Sequence, residues 1–230
     1  MKKVCVLTGA GVSAESGINT FRDAGGLWEG HDVMEVASPQ GFARNPQLVL
    51  DFYNLRRKRL AEVNPNGAHL ALAELEDGFD VTIVTQNVDD LHERAGSSKI
   101  LHIHGELLKM RSSGFDQTLL DCPGDILLGD LCEKGHQLRP HVVWFGEPVP
   151  ELQRAAEITH AADILIIIGT SMQVYPAAAL IDYAQPGTPI YFVDPNPSIS
   201  QSDFDTLTII AKKAVKGVPD LVSKLLDSAS

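Results

Sequence analysis

Three short apolar runs bound what this chain can fold into: VCVL within KKVCVLTGAG, the stretch FDVTIV, and ADILIII, each halted by a polar or glycine-rich turn and followed by a helical pattern. Strands with no polar face are buried on both sides, and strand–turn–helix units in series build a parallel sheet with helices on both faces. The expected fold class is therefore α/β, with a parallel sheet. At 230 residues there is room for one well-buried core and a small inserted module. Ligands of open α/β sheets lie beyond the carboxyl ends of the strands, so chemistry is sought in the turns.

The first turn, in VCVLTGAGVSAESGI, places Gly9, Gly11 and Ala14 in a G-x-G-x-x-A spacing. A backbone without Cβ atoms can approach a pyrophosphate, and a helix N-terminus offers N–H groups and a positive dipole end. A strand-to-helix turn also needs glycine without any ligand, so the motif alone leaves both readings open. A dehydrogenase would next show a strand ending in an acidic residue about twenty residues further on. The segment there is NTFRDAGGLWEGHDVMEVASPQG, polar and glycine-rich with no strand pattern. It reads as a lid or binding loop, which weakens the hydride-transfer reading.

The densest polar stretch is TQNVDDLHERAGSSKILHIHGE, directly after FDVTIV. It brings together Gln86, Asn87, Asp89, Asp90, His92, His102 and His104. Asn-x-Asp-Asp after a strand serves equally as a helix cap, because these side chains accept bonds from the first backbone N–H groups. His92 falls inside the following helix and reads as structural. In LHIHGE, period 2 turns His102 and His104 to one face, and His104, just before Gly105, has the freer approach.

PQLVLDFYNLRRKRLAEV reads as a helix with an apolar stripe of Leu48, Phe52, Leu55 and Leu60. Tyr53 and Arg56, three apart, share a face away from the centre of that stripe. The run Arg56, Arg57, Lys58, Arg59 is either a solvated face or, with Tyr53, the wall of a cleft that receives a carboxylate. NPNGAHLALAELED is a turn and a capped helix. The segment 107–138 has no clear periodicity and reads as an insertion. RPHVVWFGEPVPE gives a strand and a turn whose backbone could pair with an extended peptide, or form a plain hairpin edge. The turn after ADILIII offers Gly169, Thr170 and Ser171, and TPIYFVDPNPS ends a strand on Asp194, a carboxylate able to take ribose hydroxyls. AVKGVPDLVSKLLDSA closes the chain as an amphipathic helix.

A formal charge of −11 argues against general nucleic-acid or anionic-membrane binding and tolerates a basic peptide. The N-terminus leads almost directly into a strand, with no signal pattern, and no apolar run approaches a membrane span, so a cytoplasmic protein is expected. Three cysteines, Cys5, Cys122 and Cys132, form no paired framework, and Cys5 reads as a buried small hydrophobe.

Five motifs, GAGVSAESGINTFRD, TQNVDDLHERAG, HIHGEL, RPHVVWFGE and GTSMQVYPA, stand in an order that closely resembles the sirtuin family of NAD-dependent protein lysine deacylases. The resemblance spans nearly the whole chain. It implies a Rossmann-like NAD domain over 1–30, 65–106 and 139–230, and a small domain from insertions at 31–64 and 107–138. It also implies that Gly9, Ala10, Gly11, Ser13, Ala14 and Glu15 surround the pyrophosphate side of NAD, with Thr20, Phe21, Arg22 and Trp28 in the cofactor loop. Gln86, Asn87 and Asp89 would order the nicotinamide ribose and carboxamide; Gly169, Thr170, Ser171, Asp194, Asn196 and Ala214 would hold the adenosine half. Asp194 departs from the family's common Asn. His104 matches the catalytic histidine, and Asn87 joins it in the reaction. In the family mechanism the acyl-lysine oxygen displaces nicotinamide to give an alkylimidate, and the histidine acts as general base on a ribose hydroxyl. The products are nicotinamide, O-acyl-ADP-ribose and free lysine.

Under the same resemblance Tyr53-x-x-Arg56 is similar to the pair that admits succinyl and malonyl groups, and Ala37 widens that acyl pocket. Arg binds a carboxylate through two charge-assisted bonds, to which a phenol adds a third donor. Val142, Phe145, Gly146 and Glu147 would meet the substrate, an acylated-lysine peptide or protein. A monomer is expected. The sequence departs from the family at the zinc module: KMRSSGFD has no cysteine, and only Cys132 remains of the second pair. Cys122, Cys132 and His136 fit no four-ligand zinc spacing, so no metal is expected. Packing by Leu119, Leu120, Ile126, Leu127, Leu128 and Leu131 would then hold the module. The competing readings are a non-catalytic NAD or ADP-ribose sensor, a protein ADP-ribosyltransferase and a hydride-transfer enzyme.

Overall fold

The computed structural model describes residues 1–18, 27–28, 30–114 and 118–229. In chain order, strand β1 (Lys3–Thr8) precedes two short strands, β2 (Leu27–Trp28) and β3 (His31–Asp32). Helices α1 (Val33–Val36), α2 (Pro39–Arg44), α3 (Pro46–Glu62) and α4 (Gly67–Glu74) lead to β4 (Asp80–Thr85), α5 (Leu91–Ala95) and β5 (Ile100–His102). Then come β6 (Gly105–Ser112), β7 (Leu119–Asp121), β8 (Leu138–Val142), α6 (Leu152–His160), β9 (Ile164–Ile168), β10 (Ile190–Val193), β11 (Leu207–Ile210) and α7 (Ala214–Ala229).

The main sheet is parallel, in the order β11-β10-β9-β1-β4-β5. Its central strands are buried on both faces, as their unbroken apolar character requires. Val4, Val6, Ile83 and Ile166 pack under α4 and α7, while Cys5, Leu7, Leu165, Ile167 and Phe192 pack under α6 and a 3₁₀ segment, Ala177–Tyr183. The Cys5 thiol is pushed up to about 12 by burial, so it behaves as a small hydrophobe. At the start of α4 the Asn66 side chain accepts from Ala68 N, and Asn66 N donates to His69 Nδ1, a reciprocal cap that fixes the helix entry. Among the described residues no helix is long and apolar enough to cross a membrane.

The second module combines α1–α3 with an antiparallel sheet, β7-β6-β8. Helix α3 starts where Asn45 accepts from Leu48 N and Pro46 opens the first turn. Its buried face differs from the apolar stripe in the sequence. Leu55 is 48% exposed, whereas Tyr53, Asn54 and Arg57 are buried with Val49, Leu50, Phe52 and Leu60. The helix is covered on two sides, by a cluster of Val36, Ala37, Leu107, Val142 and Trp144 and by one of Cys122, Ile126, Cys132 and Leu138, so its buried arc is wide enough to take polar residues.

The leucines expected to hold the insertion do not. Leu119, Leu120, Leu127, Leu128 and Leu131 are all 44% exposed or more, and only Ile126 of that set is buried. The insertion is instead pinned to α3. Asn54 Nδ2 donates to Ile126 O and Asn54 Oδ1 accepts from Ile126 N, both at 2.9 Å. Arg57 Nε donates to Leu107 O at 3.0 Å and Nη1 to Asn54 Oδ1 at 2.9 Å. Cys122 and Cys132 lie inside the cluster, their thiols directed at Gly124 O and Ser112 Oγ. Among the described residues no three His, Cys, Asp or Glu side chains form a metal-holding group.

Asn54→Ala strands the buried N–H and C=O of Ile126 and removes an acceptor from Arg57. It is expected to destabilise the protein by about 2–4 kcal/mol in urea or thermal unfolding, with hydrogen exchange accelerated first around Ile126.

Candidate active site

The carboxyl ends of β1 and β9 meet in one backbone contact. Gly9 N donates to Ile168 O at 3.0 Å and Gly11 N to Gly169 O at 2.8 Å. A Cβ on Gly9 would lie 2.8 Å from Gly169 O, and one on Gly11 would lie 2.6 Å from Gly169 Cα. Gly169 itself has φ of 58°, the left-handed region that favours glycine. These glycines are therefore required by the packing of one turn on another, whatever ligand the turns also serve.

On this contact the polar residues assemble. Asn87 Nδ2 donates to Gly9 O at 3.2 Å and to Ser13 Oγ at 3.1 Å, and Ser13 Oγ donates to Asp89 Oδ2 at 3.0 Å. Asp89 Oδ1 accepts from Leu91 N at 3.2 Å, so the carboxylate caps α5 and orders Ser13 at once. Burial pushes the Asp89 carboxyl above its usual range, opposed by the Leu91 and Ser13 bonds. Gln86 Nε2 donates to Thr170 Oγ1 at 3.2 Å, joining the second strand turn to the third. The alternatives of cap and site for this stretch are thus not exclusive.

Beneath lie two buried imidazoles. His92 Nε2 is 3.1 Å from Thr8 Oγ1, which donates to Thr85 Oγ1 at 2.8 Å. His69 accepts Asn66 N at Nδ1, leaving Nε2 to face Ser13 Oγ at 3.5 Å. Burial lowers His69 to about 4 and His92 well below the ordinary range, so both are neutral parts of the framework.

His102 and His104 turn to the same loop, as period 2 requires, and their pKa values shift in opposite directions. His102 Nδ1 is 2.9 Å from Asn87 O and Nε2 is 2.7 Å from Glu93 Oε1, so both nitrogens face acceptors. Burial lowers its pKa, but the Glu93 bond and charge outweigh burial and the net shift is upward. Glu93 shifts down; burial opposes this and His102 overcomes it. His104 lies just beyond β5, with Nδ1 3.1 Å from Gln86 O, so Nδ1 carries the proton and Nε2 keeps its lone pair. Burial lowers its pKa, only partly countered by the Gln86 carbonyl, and the imidazole is neutral at pH 7.

The chain around His104 brings β8 to it. Gly105 has φ of 85° and packs so closely on His141 O that no Cβ fits, while Val143 N donates to His104 O at 2.8 Å. Phe145 N donates to Ala37 O at 2.9 Å. Val142 is buried, Phe145 and Gly146 are exposed, and Glu147 is held by Arg139, Arg111 and Trp144 N. Tyr53 is fully buried, its oxygen accepting from Trp144 Nε1 at 3.0 Å. Arg56 lies 4.2 Å above the Trp28 ring and borders a cleft of about 210 Å³ with His31, Phe52 and Arg59. Trp28, expected in the cofactor loop, thus sits in the α3 aromatic cluster, edge-on to Phe52 and Tyr53.

Of the residues expected on the adenosine side, Thr170 is buried and Ser171 half-buried beside Gly169; Asp194 Oδ1 accepts from Asn196 N at 2.8 Å past the end of β10, and Ala214 is buried at the start of α7. Ala10 is half-buried, whereas Ala14 and Glu15 are exposed, and Glu15 lies 3.4 Å from Lys213 Nζ. Thr20, Phe21 and Arg22 lie outside the described residues. Sequence reasoning missed Trp144, although it is one of only two tryptophans and stands directly before the Phe-Gly-Glu turn.

Residues 9–176 match the model of the Sir2 family. The chain belongs to the Sir2 family. It is 56% identical over 230 residues to an NAD-dependent protein deacylase of Helicobacter pylori, covering 100% of this chain and 98% of that one. Over 232 residues it is 50% identical to a protein of the same description from Bacteroides thetaiotaomicron, covering 98% and 99%. Among solved structures, a Sir2 homolog–NAD complex superposes with a TM-score of 0.89 at 40% identity, over 100% of this chain and 91% of that one. A Sir2–p53 peptide–NAD⁺ complex gives 0.76 at 26% identity, over 98% and 92%.

Within this Sir2 framework the His102–Glu93 pair has a definite pH signature. The raised His102 adds stability that is complete below its unfolded value near 6.5 and is lost as pH rises through the folded value. The lowered Glu93 adds stability that is complete above its unfolded value near 4.5 and is lost as pH falls through the folded value. The loss of stability on Glu93→Gln is therefore expected to be greatest between pH 4.5 and 6.5 and to shrink on either side, as read by urea unfolding across pH.

Proposed function

We propose that the protein is an NAD-dependent protein lysine deacylase that removes succinyl and malonyl groups, and acetyl groups with less preference, giving nicotinamide, O-acyl-ADP-ribose and free lysine. The observation that carries this reading is His104: a neutral imidazole with Nδ1 committed to Gln86 O and Nε2 left as a base, on the edge where β8 passes. The relatives named as NAD-dependent protein deacylases, and the solved relatives holding NAD and a peptide, support the cofactor and the substrate class.

The donor set fits NAD by its chemistry: the Gln86 and Asn87 amides, the Thr170 and Ser171 hydroxyls and the Asp194 carboxylate offer partners for ribose hydroxyls, phosphate and carboxamide. When bound, NAD supplies a nicotinamide leaving group and an electrophilic ribose carbon. Asn87, fixed by Gly9 O and Ser13, orients the ribose with Asp89 behind it. His104 Nε2 takes the proton of a ribose hydroxyl. The Val142–Glu147 segment supports the peptide beside His104, and Tyr53 with Arg56 receives the acyl carboxylate next to Ala37.

The same proposal has the protein acting as a monomer in the cytoplasm without nucleic acid or membrane, and without a structural zinc. Its two domains are 1–30, 65–106 and 139–230 for NAD, and 31–64 with 107–138 for the small module, with β8 running on from the small module's boundary to pair in that module's sheet. The experiment is mass spectrometry of metal-free protein with NAD and matched succinyl-lysine and acetyl-lysine peptides. Faster loss of succinyl, with nicotinamide released in step and unaffected by a chelator, is expected. No product from either peptide, in folded protein that binds NAD, would make a non-catalytic sensor the better reading. His104→Tyr should abolish turnover and keep NAD binding. Arg56→Met should depress desuccinylation at least tenfold more than deacetylation; equal losses would sink the pocket assignment.

A further inference from the structure

Tyr53 is fully buried, and its only partner among the described residues is an indole N–H. Indole nitrogen is a donor with no acceptor capacity. The Tyr53 oxygen is therefore the acceptor of this 3.0 Å bond, and its own proton is turned away from Trp144. Among the described residues no acceptor takes that proton, and a buried donor left without an acceptor is unfavourable. Burial holds the phenol up to about 12, against the nearby Arg56 charge, so the proton stays in place at neutral pH.

Trp144 is itself rigidly held. The Arg139 guanidinium lies 3.3 Å from the centre of its ring, a cation on the π face that makes the indole N–H a stronger donor. Arg139 is clamped by Glu147, Nη1 to Oε1 at 2.7 Å and Nη2 to Oε2 at 3.0 Å, and Nη2 also donates to Val142 O at 2.8 Å. The backbone N–H of Trp144 donates to the same carboxylate at 2.8 Å. Both ends of Trp144 are thus fixed by the one carboxylate, the ring through Arg139 and the backbone directly.

We propose that Trp144 is a positioning residue for acyl recognition: held by Arg139 and Glu147, its N–H occupies the Tyr53 oxygen and leaves the phenol proton as a donor to an acidic acyl group. Resting on the deacylase reading above, this gives Glu147 a part in acyl choice without contact to the acyl chain. A neutral acetyl group has no carboxylate to meet the phenol, so its removal does not depend on the orientation of that proton.

The test compares kcat/KM for matched succinyl-lysine and acetyl-lysine peptides, at saturating NAD, in wild type, Trp144→Phe, Tyr53→Phe and the double variant. Trp144→Phe is expected to raise KM for the succinyl peptide and lower the succinyl-to-acetyl ratio about 3- to 10-fold, with the thermal unfolding midpoint and NAD binding read alongside to show a folded protein. In the Tyr53→Phe background the same change should leave the ratio where Tyr53→Phe alone puts it. Replacement of Trp144 by an analogue with sulfur in place of the indole nitrogen keeps the shape and should reproduce the loss, even if the phenylalanine variant folds poorly. A ratio lowered by Tyr53→Phe but unmoved by both Trp144 changes overturns the inference alone, as does a loss that persists in full without Tyr53. A ratio that Tyr53→Phe leaves unchanged overturns the acyl-carboxylate reading and the inference with it.

Discussion

The contact of Gly9 and Gly11 with Gly169 is the constraint on which the site depends. Two strand turns approach so closely that hydrogen bonds run directly between their backbones and no side chain fits. That approach presents Gly9 O to the Asn87 amide and Thr170 to Gln86, so the turn after β4 is located by the turns after β1 and β9. Ser13, Asp89 and the neutral His69 then complete a buried network whose proton order follows from a single backbone donor, Asn66 N, facing His69 Nδ1. Fully connected polar networks of this kind fix one arrangement, because any rotation strands a buried group.

The same twenty residues show how environment separates like side chains. His102 and His104 differ by one intervening residue and both touch loop carbonyls, yet only His102 meets a carboxylate. With Glu93 it is an ion pair that ties β5 to α5; without one, His104 is kept neutral by burial. Their alternation in LHIHGE places both on one face, and both are half-buried. The identity of the partner was not readable in the sequence, because Glu93 reaches His102 across the turn between helix and strand.

Much of the frame was legible. Unbroken apolar runs became central parallel strands, Asn66 became a cap, and PQLVLDFYNLRRKRLAEV became α3. The burial of α3 was not legible, since an apolar stripe marks the inner face only when a helix is covered from one side. Here two clusters enclose it, Leu55 is left outside, and Asn54 and Arg57 go in because each finds backbone partners across the interface. The insertion misled for a related reason: its leucines suggested a core, while the holding was done by an amide and a guanidinium from another part of the chain. The Tyr53–Arg56 spacing was visible, but Trp144, ninety-one residues away in sequence from Tyr53, could be joined to it only by the fold.

On α3, the residues proposed to meet the acyl group and those that scaffold the insertion sit side by side: Tyr53 next to Asn54, Arg56 next to Arg57. Consecutive helical positions are about 100° apart, so the pair that grips the insertion and the pair proposed for the acyl group cannot turn independently. A sequence change in the insertion that shifts Ile126 or Leu107 rotates α3 and re-aims Tyr53 and Arg56 without touching either. On the acyl-pocket proposal, drift in the least regular part of this chain would therefore retune which acyl groups it accepts, while every residue of the three strand turns stays the same.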